Sequence, residues 1–237
     1  MKKLMLISNS TNAGEEYLSW PQSYIKEFLE KYKVKKVLFV PYAGVSMSWD
    51  NYTTKVRNVF KKLGVEVESV HETATPPEAV KVAQAIVIGG GNTFNLVYHL
   101  HKTGLMQSIA SRVNEGTPYL GWSAGANVAG PTLMTTNDMP IIQPESFNCM
   151  SLVPFQINPH YLDGHPKGHG GETREQRILE FLEINREIHV AALREGTLLE
   201  IEGPSVVLKG KLACRVFHFG KIAMESIPGS KLDFLLI

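Results

Sequence analysis

The chain has 237 residues, 43% of them hydrophobic and 20% charged, an ordinary mixture for a folded globular chain with a sizeable core. Lys and Arg total 24 against 23 Asp and Glu, so a formal net charge of +1 gives no basic excess to draw the chain to nucleic acid or to an acidic membrane surface. The two cysteines, Cys149 and Cys214, lack metal-type spacing and are too few to staple a secreted fold of this size, so both read as buried thiols of a reducing compartment.

The start, MKKLMLISNS, has an apolar run of only four residues, shorter than the roughly 7–15 of a signal-peptide core, and reads as a first strand of a cytoplasmic protein. No run approaches the roughly 18 apolar residues of a membrane span. SWPQSYIKEFLEKY follows as a helix, with Ser19 as N-cap, Pro21 in the first turn and Ile25, Phe28, Leu29 and Tyr32 at helical spacing. KVLFVPYAG is a strand, and Trp49 to Leu63 repeats the helical period through Tyr52, Val56, Val59, Phe60 and Leu63. VEVESV and AIVIGGG are strands, TFNLVYHLHKTG and LMQSIASRVNEG are helices closing at glycines, and TPYLGW is the next strand. Such alternation predicts a mostly parallel sheet with helices on both faces and ligands beyond the carboxyl ends of the strands.

After residue 130 the texture changes. Residues 131–171 are rich in Pro, Asn, Gly and His, with one strand expected near SLVPFQI, and so long an irregular stretch is the expected cover of a functional site. GETREQRILEFLEIN restores a helix, with Thr173 as N-cap and Ile178, Leu179 and Leu182 on its buried side. IHVAAL, TLLEIEG, SVVLKG and ACRVFHFG read as strands. No repeat or linker interrupts the chain, which is taken as a single α/β domain, residues 1–237.

Residues 121–125, Gly-Trp-Ser-Ala-Gly, fit the G-x-S-x-G nucleophile elbow in the context that motif requires, after a strand and before a helix-forming segment. Ser123 is therefore the candidate nucleophile, against the alternative of a small-residue packing turn. A nucleophilic serine needs a base, and of eight histidines His71, His99 and His101 lie in patterns that suggest surface positions. His160, just after an apolar strand in FQINPHYLDG, is the candidate, with a satisfied structural histidine as the alternative. His165 and His169 could join it in a metal cluster, but they lack any companion Cys or carboxylate pattern, so neither metal nor cofactor is expected. VIGGGNTF, residues 87–94, offers unsubstituted backbone N–H groups at Gly90 and Gly91 that with Ala124 could form an oxyanion hole; a structural turn is the competing reading. A dinucleotide site would need a glycine where Phe94 stands.

IGGGNTF, GWSAGAN, TTNDMP, QINPHY and GETREQRI, in this order over most of the chain, resemble the peptidase E (α-aspartyl dipeptidase) family. That resemblance implies a flavodoxin-like, class I glutamine amidotransferase-like fold and a metal-free exopeptidase that releases N-terminal Asp from dipeptides and short peptides. It implies Ser123 as nucleophile and His160 as base. Glu195, following IHVAA, would project from a strand end and orient His160 by the same resemblance, with Asp138 of TTNDMP as its rival. Arg194 stands where a proline is more usual in the family, which puts the turn at Glu195 in question. An Asp substrate needs a cation, and Arg174, near the start of the GETREQRI helix, is the candidate unless it pairs with Glu175 or Glu172. Asn92 is a further substrate-binding candidate, and Asp138 or Glu172 could take the substrate's ammonium. The expected partners are small Asp-Xaa peptides, not nucleic acid or membrane, with a monomer or homodimer as the assembly. The competing readings are a cyanophycinase-like hydrolase, an esterase with His218 as base after Asp138, and a non-catalytic amidotransferase-like binding module; the chain order Ser123, His160, Glu195 argues against the esterase.

Overall fold

The computed structural model describes residues 1–164, 168 and 170–237. Its first half alternates as the apolar runs dictate: β1 (Lys3–Ile7), α1 (Gln22–Lys31), β2 (Lys36–Val40), α2 (Trp49–Lys62), β3 (Glu66–Ser69), α3 (Pro76–Val82), β4 (Ile86–Ile88), α4 (Thr93–Lys102), α5 (Leu105–Asn114) and β5 (Tyr119–Trp122). The sequence reading missed α3, a seven-residue helix with Val80 as its only buried side chain, too little to write a period into the sequence. It also placed the α1 cap too early. Pro21 occupies the cap position, its carbonyl accepting the first helical bond from Ile25, while Ser19 caps nothing.

The remainder comprises α6 (Ala124–Asn127), β6 (Gln156–Tyr161), α7 (Arg174–Ile184), β7 (Val190–Arg194), β8 (Thr197–Glu202), β9 (Ser205–Gly210), β10 (Cys214–Phe217) and β11 (Met224–Ser226). The strand expected at SLVPFQI begins only at Gln156, because the N–H groups of Met150 to Val153 are taken by carbonyls of residues 128–130. It then runs on to Tyr161, so His160 lies within the strand rather than after it. In α7, Ile178 and Leu182 are buried one turn apart, whereas Leu179, about 100° further round the helix, is 44% exposed, contrary to the expectation. Thr173 caps α7 as expected and forms a reciprocal capping box with Gln176, an arrangement whose cap alone contributes about 1 kcal/mol.

The strands form two sheets. A seven-stranded sheet has the order β3-β2-β4-β5-β1-β8-β9, parallel from β3 to β1 and antiparallel at β8 and β9. Its strands alternate between two cores: Leu4, Leu6, Ile86 and Ile88 face α4 and α5, while Met5, Ile7, Val87 and Leu120 face α1 and α2. A second, four-stranded sheet, which the sequence reading did not anticipate, has the order β11-β10-β7-β6, with only β6 and β7 parallel. Among the described residues no helix is long and apolar enough to cross a membrane. Cys214 is buried, Cys149 half-buried, and both are free thiols.

Candidate active site

Strand β5 ends one residue before Ser123, and the chain turns there so tightly that glycine is required on both sides. A Cβ on Gly121 would run into the carbonyl of Gly125, and one on Gly125 into the carbonyl of Ile88. Ser123 itself has φ 54° and ψ −113°, a conformation that costs a non-glycine residue about 1–3 kcal/mol and persists only where the surroundings over-determine it. Here its N–H donates to Ile7 O at 2.9 Å, and its carbonyl accepts from Ala126 and Asn127. The side chain is thereby left half exposed at the carboxyl edge of the parallel strands.

The loop after β4 lies against this turn. Buried Trp122 donates from its indole to Tyr52 Oη at 3.2 Å, and Tyr52 donates to Gly90 O at 2.9 Å, which fixes the Gly90–Gly91 peptide. A Cβ on Gly90 would press on Ser123 Cβ, and one on Gly91, whose φ is 137°, would strike the Ala43 carbonyl. The N–H groups of Gly90, Gly91 and Ala124 meet no acceptor among the described residues, as an oxyanion hole requires.

His160 reaches Ser123 from the second sheet. The β6–β7 register runs Asn158↔Ala192 and then Tyr161↔Arg194, a bulge in which His160 takes φ 54°. Its N–H donates to Ser8 Oγ at 3.0 Å, and Ser8 in turn donates to Leu193 O at 2.8 Å, tying the end of β1 to β6 and β7. His160 Nε2 lies 2.9 Å from Ser123 Oγ and Nδ1 lies 2.7 Å from Glu195 Oε1. The His160–Glu195 pair is 39% and 44% exposed, so its Coulomb energy is modest and its value lies in orientation. Gly196, with φ 80°, turns the chain from Glu195 into β8 and donates its N–H to Asn9 Oδ1.

Asp138, the rival for orienting His160, is engaged elsewhere. Its Oδ2 accepts from Thr93 N at 2.7 Å and Thr93 Oγ1 at 2.6 Å, at the first turn of α4 where the helix dipole favours an anion. Its Oδ1 has no protein partner among the described residues. Asn92 caps α4 through Oδ1 and donates Nδ2 to Met139 O, so its amide is largely spent on the scaffold rather than free for substrate.

Ser123, His160, Asp138, Asn92, Gly90 and Gly91 line one open cleft of about 620 Å³, room for a dipeptide. Arg174 does not line it, contrary to the simplest form of the expectation. It lines an adjoining cavity of about 180 Å³ whose shared wall is Asp138. The carboxylates that could have neutralised it do not: Glu175 pairs with Arg215 at 2.6 Å, and exposed Glu172 lies 3.7 Å from Arg177 and outside both cavities. Burial lowers the Arg174 pKa, and the Asp138 charge partly opposes that. The same cavity is lined by Asn158, whose Oδ1 is buried without a partner. Lys55, not singled out from sequence, is the one lysine or arginine lining the larger cleft among the described residues, its Nζ 4.1 Å from the Tyr17 ring centroid. Its spacing of three from Tyr52 on α2 was the available signal.

His71, His99 and His101 are half-buried rather than superficial; His99 packs on Tyr42 and Trp49, and His71 bonds Ser69 at 2.6 Å. His218 lies against His189 with ring centroids 4.4 Å apart and is not part of the cleft, which removes the esterase arrangement. His165 and His169 lie outside the described residues.

The sequence profile described as peptidase family S51 matches residues 4–209. A protein named peptidase E from Nostoc sp. is 50% identical over 235 residues, covering 99% of this chain and 97% of that protein. Another of the same name from Salmonella arizonae is 43% identical over 229 residues, covering 97% and 99%. Among solved structures, a peptidase from an acI-B1 Actinobacterium superposes with TM-score 0.70 at 19% identity, covering 98% of this chain and 96% of that one. A Listeria monocytogenes EGD-e structure titled as a peptidase E protein gives TM-score 0.65 at 23% identity, covering 89% and 98%. At those identities the structures attest the fold alone.

Proposed function

The chain belongs to peptidase family S51, and on that premise we propose that it is a serine exopeptidase, an α-aspartyl dipeptidase, that hydrolyses the peptide bond after an N-terminal Asp. The observation that carries the reading is the line Ser123–His160–Glu195, with its two hydrogen bonds of 2.9 and 2.7 Å, next to a cavity lined by Arg174, whose guanidinium forms no ion pair among the described residues.

In the proposed reaction His160 Nε2 takes the hydroxyl proton as Ser123 Oγ attacks the carbonyl carbon, while Glu195 holds Nδ1–H and with it the reactive tautomer. The N–H groups of Gly90, Gly91 and Ala124 receive the negative oxygen. Protonated His160 then gives its proton to the leaving amine, the C–N bond breaks, and an aspartyl ester remains on Ser123. A water, deprotonated by His160, attacks that ester; its collapse frees aspartate and returns the proton to Ser123. The substrate's side-chain carboxylate enters the smaller cavity toward Arg174, and its ammonium meets the open Oδ1 of Asp138. The leaving residue extends the other way, toward Lys55 and Tyr17. Two unpaired thiols support a reducing, cytoplasmic setting, and the whole chain acts as one domain, as monomer or homodimer.

A panel of Asp-Xaa, Asn-Xaa and β-linked aspartyl peptides tests this. Asp-Xaa should be cleaved and the other two spared, since Asn leaves Arg174 without an anion. Preferential turnover of the β-linked set would replace the reading by a cyanophycinase-like one, and no turnover with an unreactive Ser123 would leave a binding module.

A further inference from the structure

Arg194 ends β7 and immediately precedes Glu195. Its guanidinium is only 16% exposed, and its five N–H donors all find acceptors. Nε and Nη2 grip the two oxygens of Asp163 at 2.6 and 2.8 Å, Nη1 donates to Ala213 O at 2.7 Å, and Nη1 and Nη2 both reach the Glu225 carboxylate. These partners lie on different segments: Asp163 just past β6, Ala213 just before β10, Glu225 in β11, and Arg194 itself at the end of β7.

The bulge gives that grip a purpose. Between the paired positions Asn158↔Ala192 and Tyr161↔Arg194, β6 spends one residue more than β7, and His160 sits in the surplus with a positive φ. A one-residue slip of β6 against β7 would send the His160 side chain to the opposite face, away from Ser123. Arg194 pairs with Tyr161 directly beyond the bulge, holds Asp163 three residues past His160, and immediately precedes Glu195. A proline there would set the strand end through its ring and offer Asp163 and Glu225 nothing.

We infer that Arg194 is a positioning residue that locks the β6 bulge and so keeps the His160–Glu195 hydrogen bond aligned on Ser123. It lines neither cavity, which places it behind His160 and Glu195 rather than against a substrate. The inference rests on Glu195 orienting His160, as proposed above.

The test is a mutant cycle. Arg194→Met is made in the native chain and in a Glu195→Gln background, with kcat and KM for Asp-Leu measured at high enzyme concentration and Tm recorded for each. Arg194→Met should lower kcat roughly 10- to 100-fold, as a displacement of the order of 1 Å does, with KM changed less than about twofold. Arg194→Lys, which keeps the charge but not the two-pronged grip, should fall between. In the Glu195→Gln background the Arg194→Met loss should shrink to less than about twofold, because the geometry it protects is already gone. An unchanged kcat in folded Arg194→Met, or an equal loss in both backgrounds, overturns the inference. If Arg194→Met does not fold, Asp163→Asn releases the same grip from the other side and is read by the same cycle. A Glu195→Gln variant with native kcat would instead sink the role of Glu195 itself.

Discussion

The two sheets place their contributions to the site by different physics. The parallel sheet delivers Ser123 by steric exclusion: Gly121, Gly125, Gly90 and Gly91 sit where a single methyl group would collide with backbone or with the serine, and fully buried strands stand behind them. The smaller sheet delivers His160 and Glu195 by hydrogen bonds and charge, through Ser8, Arg194, Asp163 and Glu225, on side chains that are often half exposed. The proposed nucleophile is thus built into close packing, which does not bend by degrees. The proposed base and orienting acid hang on polar contacts that can be retuned one residue at a time.

The sharpest break comes from removing the hydroxyl that packing presents. Ser123→Ala should lower kcat by about 10⁶ and leave Tm unchanged within a few degrees, by analogy with other serine hydrolases; retention of more than a few per cent of native turnover would rule out Ser123 as nucleophile. On the polar side, Glu195→Gln should lower kcat by about 10⁴, the loss typical when a triad loses its orienting carboxylate, while Asp138→Asn should cost less and act more on KM. The reverse ranking in folded variants would move the orienting role to Asp138. Arg174→Ala should reduce kcat/KM for Asp-Xaa by roughly 10²–10³ and erode the preference over Asn-Xaa, since an anion brought into the small cavity would go unpaired. Equal losses on both substrates would make Arg174 part of the scaffold. Lys55→Met should have the smallest effect, within about tenfold on KM for Asp-Leu and none for Asp-Leu amide, because an exposed cation contributes little. A matching loss on the amide would place Lys55 away from the terminal carboxylate.

The same division explains what the sequence disclosed. Ser123 was legible because its glycines and the strand before it are adjacent in the chain, and Thr173 because a capping box is spelled within four residues. His160 was found, but its setting was not: nothing local says that β6 continues through it with a bulge. The second sheet stayed hidden because β10 and β11 are short and β6 pairs with β7 across a long connection. Arg194 stood out as odd, yet its partners lie 31, 19 and 31 residues away, beyond any local pattern. Leu179 was misassigned because three apolar residues on one helix were allotted to a face with room for two. The Arg174 cavity depends on Asp138 and Asn158, which only the fold brings beside it.

Strand β1 precedes its neighbours β5 and β8 in the chain and is among the last strands to be completed. It pairs with β5 on one side and with β8 on the other, Ser8 bonds Leu193, and Asn9 bonds Gly196. On a ribosome, residues 119–122 must emerge before β1 has its parallel neighbour, and residues 193–202 before it has the rest. Ser123, the proposed nucleophile, is thus translated 37 residues ahead of His160, which itself precedes Glu195 by 35. Closure of β1 on both sides therefore waits on the same late segment that brings Glu195, so the proposed line of Ser123, His160 and Glu195 is assembled only when most of the chain is present.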